Sequence, residues 1–151
     1  LNGENVNSYL RTEEVGNMAS VSSAVPRVRE KLLSLQRKLA KDMSVVMDGR
    51  DIGTTILPDA DVKIYLTASS LTRARRRYLE LQEKGTVCNL DDIQKDIEER
   101  DQRDMNREIS PLRQAKDAVL VDSSDLTIQQ VVDRILQIFR SKTTGEDSHE
   151  S

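Results

Sequence analysis

The sequence predicts an α/β protein, a parallel sheet flanked by helices. Two observations carry that prediction. Short apolar runs alternate with longer amphipathic segments, the signature of βαβ units. Each run also ends in a compact polar motif, as strands do when their carboxyl ends carry a ligand site.

In chain order, Leu1-Asn2-Gly3 reads as the end of a hairpin, because Asn-Gly is a turn signal between extended residues. Thr12 followed by Glu13 and Glu14 marks a helix start with acidic residues in its first turn, running to about Val25. Pro26 opens a second helix, in which Val28, Leu32, Leu35 and Leu39 share one face. Ser44–Met47 reads as a buried strand ending in Asp48-Gly49-Arg50-Asp51, and Val62–Leu66 as a second strand followed by Ser69-Ser70 as an N-cap. A helix from about Leu71 to Lys84 carries Arg73, Arg75, Arg76 and Arg77, and Gly85 stops it. Asp91 and Asp92 open the next helix, which ends in the charged string Glu98–Glu108. Ala118–Val121 is the third strand, ending in Asp122-Ser123-Ser124, and a last helix spans Thr127 to about Arg140. The polar tail 141–151 is expected to be disordered.

Length and composition narrow the function. A chain of 151 residues suits one domain or a large piece of one. With 23 Lys plus Arg against 26 Asp plus Glu, the net charge is -3, and aromatics make up 3%. Bulk binding to nucleic acid or an anionic membrane is therefore not expected, nor is a base-stacking surface. No apolar run approaches the ~20 residues a membrane span needs. One His (His149, in the tail) and one Cys (Cys88) leave no zinc cluster, no Ser-His or Cys-His pair and no disulfide framework, so no metal ligands are expected. A lone Cys suits a reducing compartment, and the expected location is the cytoplasm.

Arg outnumbers Lys by 15 to 8. Guanidinium forks grip carboxylates and phosphates bidentately, so the placement of these arginines matters. In Asp48-Gly49-Arg50-Asp51 a glycine permits close backbone passage beside one cation and two anions. Arg50 is well placed there for a phosphate and Asp51 for an amino group; a turn with an internal ion pair fits the same residues. Arg100, Asp104 and Arg107 share one helical face with Arg103 alongside. Such a cluster suits phosphoryl transfer, and it equally suits a solvated helix stitched by ion pairs, or a mobile flap.

Taken together, these strings resemble the bacterial cytidylate kinase family, which phosphorylates CMP and dCMP. The blocks LRTEEV, SAVPRVREKLLSLQ, VVMDGRDIGTTILPDADVKIYLTAS, RARRRYLELQEKG, ERDQRDMNREISPL and DAVLVDSSDLTIQQVV occur in order from about Leu10 to Val132. The resemblance implies a P-loop nucleoside monophosphate kinase-like parallel sheet. It implies that Arg29 and Ser20 meet the cytosine and that Asp51 selects cytosine over uracil. Arg50 and Arg107 match arginines on the phosphates, Arg100 and Asp104 the pair near the ribose, and Arg11 a residue near the acceptor. Arg76, Asp122 and Ser123 would lie near the adenine of ATP. Residues 1–43 would be the end of the CMP-binding insertion and the following helices, and 44–140 the core, with a lid around 86–110. The substrates would be MgATP and CMP or dCMP, the protein a monomer, and Arg50, Arg100 and Arg107 the catalytic cations.

One departure is large. No Gly-x-x-x-x-Gly-Lys-Ser/Thr occurs among these residues, and the chain starts with Leu. That loop would grip the β- and γ-phosphates and help hold Mg²⁺. The expectation is a C-terminal two-thirds of such a kinase, without the first strand and phosphate loop and inactive alone, with Mg²⁺ ligands from elsewhere in the full protein. The alternatives are a non-catalytic nucleotide-binding fragment, or a related P-loop kinase acting on UMP or shikimate.

Overall fold

A computed structural model describes residues 3–10, 12–23 and 25–144, except for the side chains of Glu13, Asn17 and Ser20. The chain divides into two compact units, residues 1–47 and 48–151.

The first unit holds two helices, α1 (Glu13–Ser23) and α2 (Pro26–Asp42). Pro26 starts α2 without a side-chain cap, since its missing N–H is one the first turn leaves unbonded anyway. Leu32, Leu35 and Leu39 line one face of α2 as the spacing requires, and all remain exposed. Gly3 adopts a left-handed φ of 87°, as a turn demands, but residues 3–10 form turns and bends without a strand. Asn2 lies outside the described residues.

Ser44–Met47 is not the expected strand. It is irregular chain, and Val46 is fully exposed. An apolar run becomes a strand only when a neighbour completes its hydrogen-bond ladder. Among the described residues none does.

The second unit is helix-rich with a small parallel sheet. A π-helical turn, Ile52–Ile56, precedes strand β1 (Ile64–Thr67), helices α3 (Ser70–Glu83) and α4 (Leu90–Asn106), strand β2 (Val119–Asp122) and helix α5 (Ile128–Thr143). β1 and β2 pair in parallel, with Ile64 opposite Val119 and Thr67 opposite Asp122. Both strands start later than the apolar pattern suggests. Local caps set the helix ends. The Ser69 hydroxyl accepts from the Thr72 amide, the Asn89 side chain accepts from Asp91 and Asp92, and Thr127 with Gln130 forms a capping box. Gly85, at φ 71°, follows α3. α5 continues three residues past Arg140 and Thr144 caps it; residues 145–151, with His149, lie outside the described residues.

The core is small: Ile56, Ala68, Ala74, Val121 and Ile138 are buried, and Ala74 is fully enclosed where α3 packs on α4. Polar links reinforce that packing. Arg73 grips both oxygens of Asp101 (3.0 and 2.5 Å) while its Nε donates to the Ala68 carbonyl, and Ser70 donates to Glu98 (2.6 Å). Lys63, buried at the base of β1, pairs with Asp117 at 2.7 Å.

Several carboxyl groups ionise more readily than usual. Hydrogen bonds from Lys84 and then Arg77 pull Glu80 from its ordinary 4.5 to about 2. Lys63 lowers Asp117, the Ser124 hydroxyl lowers Asp122, and the Ser70 hydroxyl and Gln94 lower Glu98. Each folded value lies below the unfolded one. The linked stability is thus present above the ordinary carboxylate range and disappears as pH falls through the folded values. Urea unfolding is expected to lose stability from about pH 4.5 down to about 2, with a shallower loss in Glu80→Gln. Identical pH profiles for the two proteins would refute the assignment to Glu80.

Candidate functional site

The polar ends of β1 and β2 lie side by side. Ser123 donates from its amide (2.8 Å) and its hydroxyl (3.0 Å) to the Thr67 carbonyl, and the Ser69 amide donates to Ser124 Oγ at 2.9 Å. Asp122 accepts from the Ser124 amide and hydroxyl. Arg76 reaches across from α3 to the Ser123 carbonyl (2.6 Å) and hydroxyl (3.2 Å). Arg76, Asp122 and Ser123 thus form one latched corner at the carboxyl edge of the sheet.

Asp48-Gly49-Arg50-Asp51 leads into the π-helical turn. The Asp51 carbonyl accepts from the Thr55 amide (2.9 Å) and the Ile56 amide (3.2 Å), and Leu57 N–H donates to the Ile52 carbonyl (2.7 Å). Asp51 is only 8% exposed. Gly49 packs closely: a Cβ there would sit 2.9 Å from Ile52 Cγ1, so the Ile52 side chain would have to shift. Single π-turns recur at functional sites because they redirect side chains out of helical register.

Arg50 meets α4 at Asp104. Its Nε donates to Asp104 Oδ2 at 3.1 Å, and Arg107 Nη1 lies 3.9 Å from Oδ1 of the same carboxylate. The Asp104 side chain is 13% exposed and Arg50's is 47% exposed. Two guanidinium groups therefore share one largely covered carboxylate near the end of α4.

Arg107 is not on the helical face that spacing predicts. α4 ends at Asn106, and Arg107 has extended backbone (φ -67°, ψ 144°). The Asp104 carbonyl accepts from Leu112 N–H (2.8 Å), so the chain turns back where the helix would have continued. Arg107 Nε donates to the Ser110 carbonyl at 2.7 Å. Ser110 has φ 50°, the one positive value among described non-glycine residues. Such backbone is held only where its surroundings enforce it, and here Arg107 and Pro111 flank it.

Arg100 is exposed and meets no hydrogen-bond or ion-pair partner among the described residues, and Asp104 pairs with Arg50 and Arg107 instead. In the first unit, Arg29 donates to the Ser23 carbonyl (3.3 Å) across the junction of α1 and α2. Arg11 lies outside the described residues, as does the Ser20 side chain. Spacing alone did not single out Lys63, although a lysine between Val62 and Ile64 interrupts an apolar run; nor did it separate Arg73, bound to Asp101, from its neighbouring arginines. A shallow depression between β2 and α5 shares only Asp122 with these residues. Among the described residues no three His, Cys, Asp or Glu side chains converge on a metal position, and no helix is long and apolar enough to cross a membrane.

A family model described as cytidylate kinase matches residues 1–141. The chain is 51% identical over 142 residues to the cytidylate kinase of Lactobacillus gasseri, covering 94% of this chain and 62% of that protein. The cytidylate kinase of an Enterobacter species is 51% identical, with 94% and 63% covered, and that of Alkaliphilus metalliredigens 47% identical, with 96% and 66% covered. The chain thus spans less than two thirds of the length of these curated relatives.

Proposed function

This chain belongs to the cytidylate kinase family, and from that premise we propose that the full-length protein transfers the γ-phosphoryl group of MgATP to the 5'-phosphate of CMP or dCMP. The observation that carries this reading is the pair of guanidinium groups, Arg50 and Arg107, held on Asp104. Each guanidinium carries five N–H donors, more than these contacts use, and the rest can meet phosphate oxygens. An acceptor phosphate oxygen attacks the γ-phosphorus in line, and the bond to the β-phosphate oxygen breaks to release ADP. No covalent intermediate is needed.

In this reading Arg50, Arg100 and Arg107 neutralise charge on the moving group, and Asp104 with Arg100 meets the ribose. Arg29, Ser20 and Asp51 read the cytosine, and Arg11 lies near the acceptor. The corner of Arg76, Asp122 and Ser123 borders the adenine of ATP. Residues 86–110 act as a lid over a P-loop kinase-like core at 44–140, with residues 1–43 closing the CMP-binding insertion. Mg²⁺ arrives with ATP. The part of this chain's own residues is cationic and positional. The protein works as a monomer in the cytoplasm, without nucleic acid or membrane partners.

The test is a coupled ADP-release assay of the full-length protein with CMP, dCMP, UMP and shikimate. Turnover of CMP or dCMP well above UMP is expected. Preference for UMP or shikimate, or silence with all four, would overturn the reading.

A further inference from the structure

Lys63 is buried at 8% exposure, at the base of β1, and has no place in the reaction above. Its main chain belongs to the sheet, where its carbonyl accepts from the Val119 amide at 2.9 Å. Its side chain leaves the sheet. The stem passes against Gly53, where a Cβ would lie 3.4 Å from Lys63 Cδ, and the ammonium group donates to the Pro58 carbonyl and to Asp117.

A buried ammonium costs desolvation, and an apolar residue of similar stem would fill the same space without that cost. Asp117 is a weak reason for it, since its side chain is 59% exposed and an ion pair open to water contributes little. The Pro58 carbonyl is the contact with a structural consequence. From Asp51 to Ala60 the chain is one hydrogen-bonded unit: Asp51 O to Thr55 and Ile56, Ile52 O to Leu57, Leu57 O to Ala60. Holding Pro58 holds the far end of the turn, and the stem against Gly53 braces the near end, which carries Arg50 and Asp51.

We propose that Lys63 is a positioning residue that fixes the Arg50–Asp51 acceptor loop to the sheet through the Pro58 carbonyl. The proposal rests on the reading of that loop as the CMP side of the site. Lys63→Met keeps the stem and loses both polar contacts; Asp117→Asn weakens the ion pair and leaves the Pro58 contact intact.

The experiment compares both variants with the wild type in the full-length kinase, by CMP saturation kinetics and by hydrogen exchange at Thr55, Ile56 and Leu57. Lys63→Met is expected to raise KM for CMP about tenfold, to lower kcat as Arg50 loses its fixed position, and to speed exchange at those three amides; Asp117→Asn should do none of these. Should Lys63→Met fail to fold, Lys63→Leu, which carries no donor, is read in the same way. Unchanged KM and exchange in the folded Lys63 variant would overturn the proposal, as would an equal effect from Asp117→Asn. The exchange measurement needs no substrate. A wild type that ignores CMP would therefore sink the kinase reading while leaving the anchoring of the loop still decided.

Discussion

Replacing Arg107 by Ala in the full-length kinase is expected to lower kcat roughly a hundredfold to a thousandfold, the loss typical when one preorganised donor to developing charge is removed. The size follows from how the side chain is held. Arg107 has left the helix, its Nε is fixed on the Ser110 carbonyl, and Asp104 sits beside its Nη1. The cation is oriented before any substrate arrives, so it needs no reorganisation during transfer. Arg107→Lys should recover only part of the rate, because a point charge cannot keep the Ser110 contact and also present a planar fork. The Ser110 hydrogen bond is also lost in Arg107→Ala, at about 1 kcal/mol of stability. A thermal melt run beside the kinetics separates that loss from the catalytic one. A folded Arg107→Ala enzyme with a near-wild-type kcat would remove Arg107 from the catalytic set.

The parts of this structure that could be read from sequence are those fixed by near neighbours. Ser69, Thr127 and Gly85 mark helix ends because each bonds or turns the chain within three or four residues of itself. Ser44–Met47 has the same local signature as the other apolar runs. What it lacks is a ladder partner, and pairing depends on chain far away in sequence. The site divides in the same way. That Asp104 is a hub could be guessed from its place between Arg100 and Arg107, but its strongest partner is Arg50, 54 residues earlier, which no helical spacing reveals. Spacing also continued α4 through Arg107, because three- and four-residue intervals do not show where Leu112 will fold back onto the Asp104 carbonyl. Lys63 was overlooked for a related reason: its partners, Pro58 and Asp117, meet it only once the turn and the sheet are assembled.

In the proposed reading Asp51 sets the base preference, and Asp51→Asn is expected to cut the CMP-over-UMP ratio of kcat/KM about a hundredfold. A carboxylate only accepts hydrogen bonds. It meets the 4-amino group of cytosine favourably and opposes the 4-carbonyl of uracil, whereas an amide satisfies either by presenting its oxygen or its nitrogen. A hydrogen bond to a charged group contributes about 1.5–3 kcal/mol, which sets the factor near a hundred. Asp51 is only 8% exposed, shielded enough from water for that difference to survive screening. The backbone of Asp51 anchors the π-turn through its carbonyl, and the substitution leaves those bonds in place; a thermal melt beside the kinetics separates any loss of folding from the change in selectivity. The two nucleotides are compared in the same full-length preparation, with shikimate as a blank. Gain of UMP turnover with partial loss of CMP turnover is the expected pattern. An unchanged ratio would mean that Asp51 does not touch the base, and the selectivity would then have to come from Arg29 and Ser20.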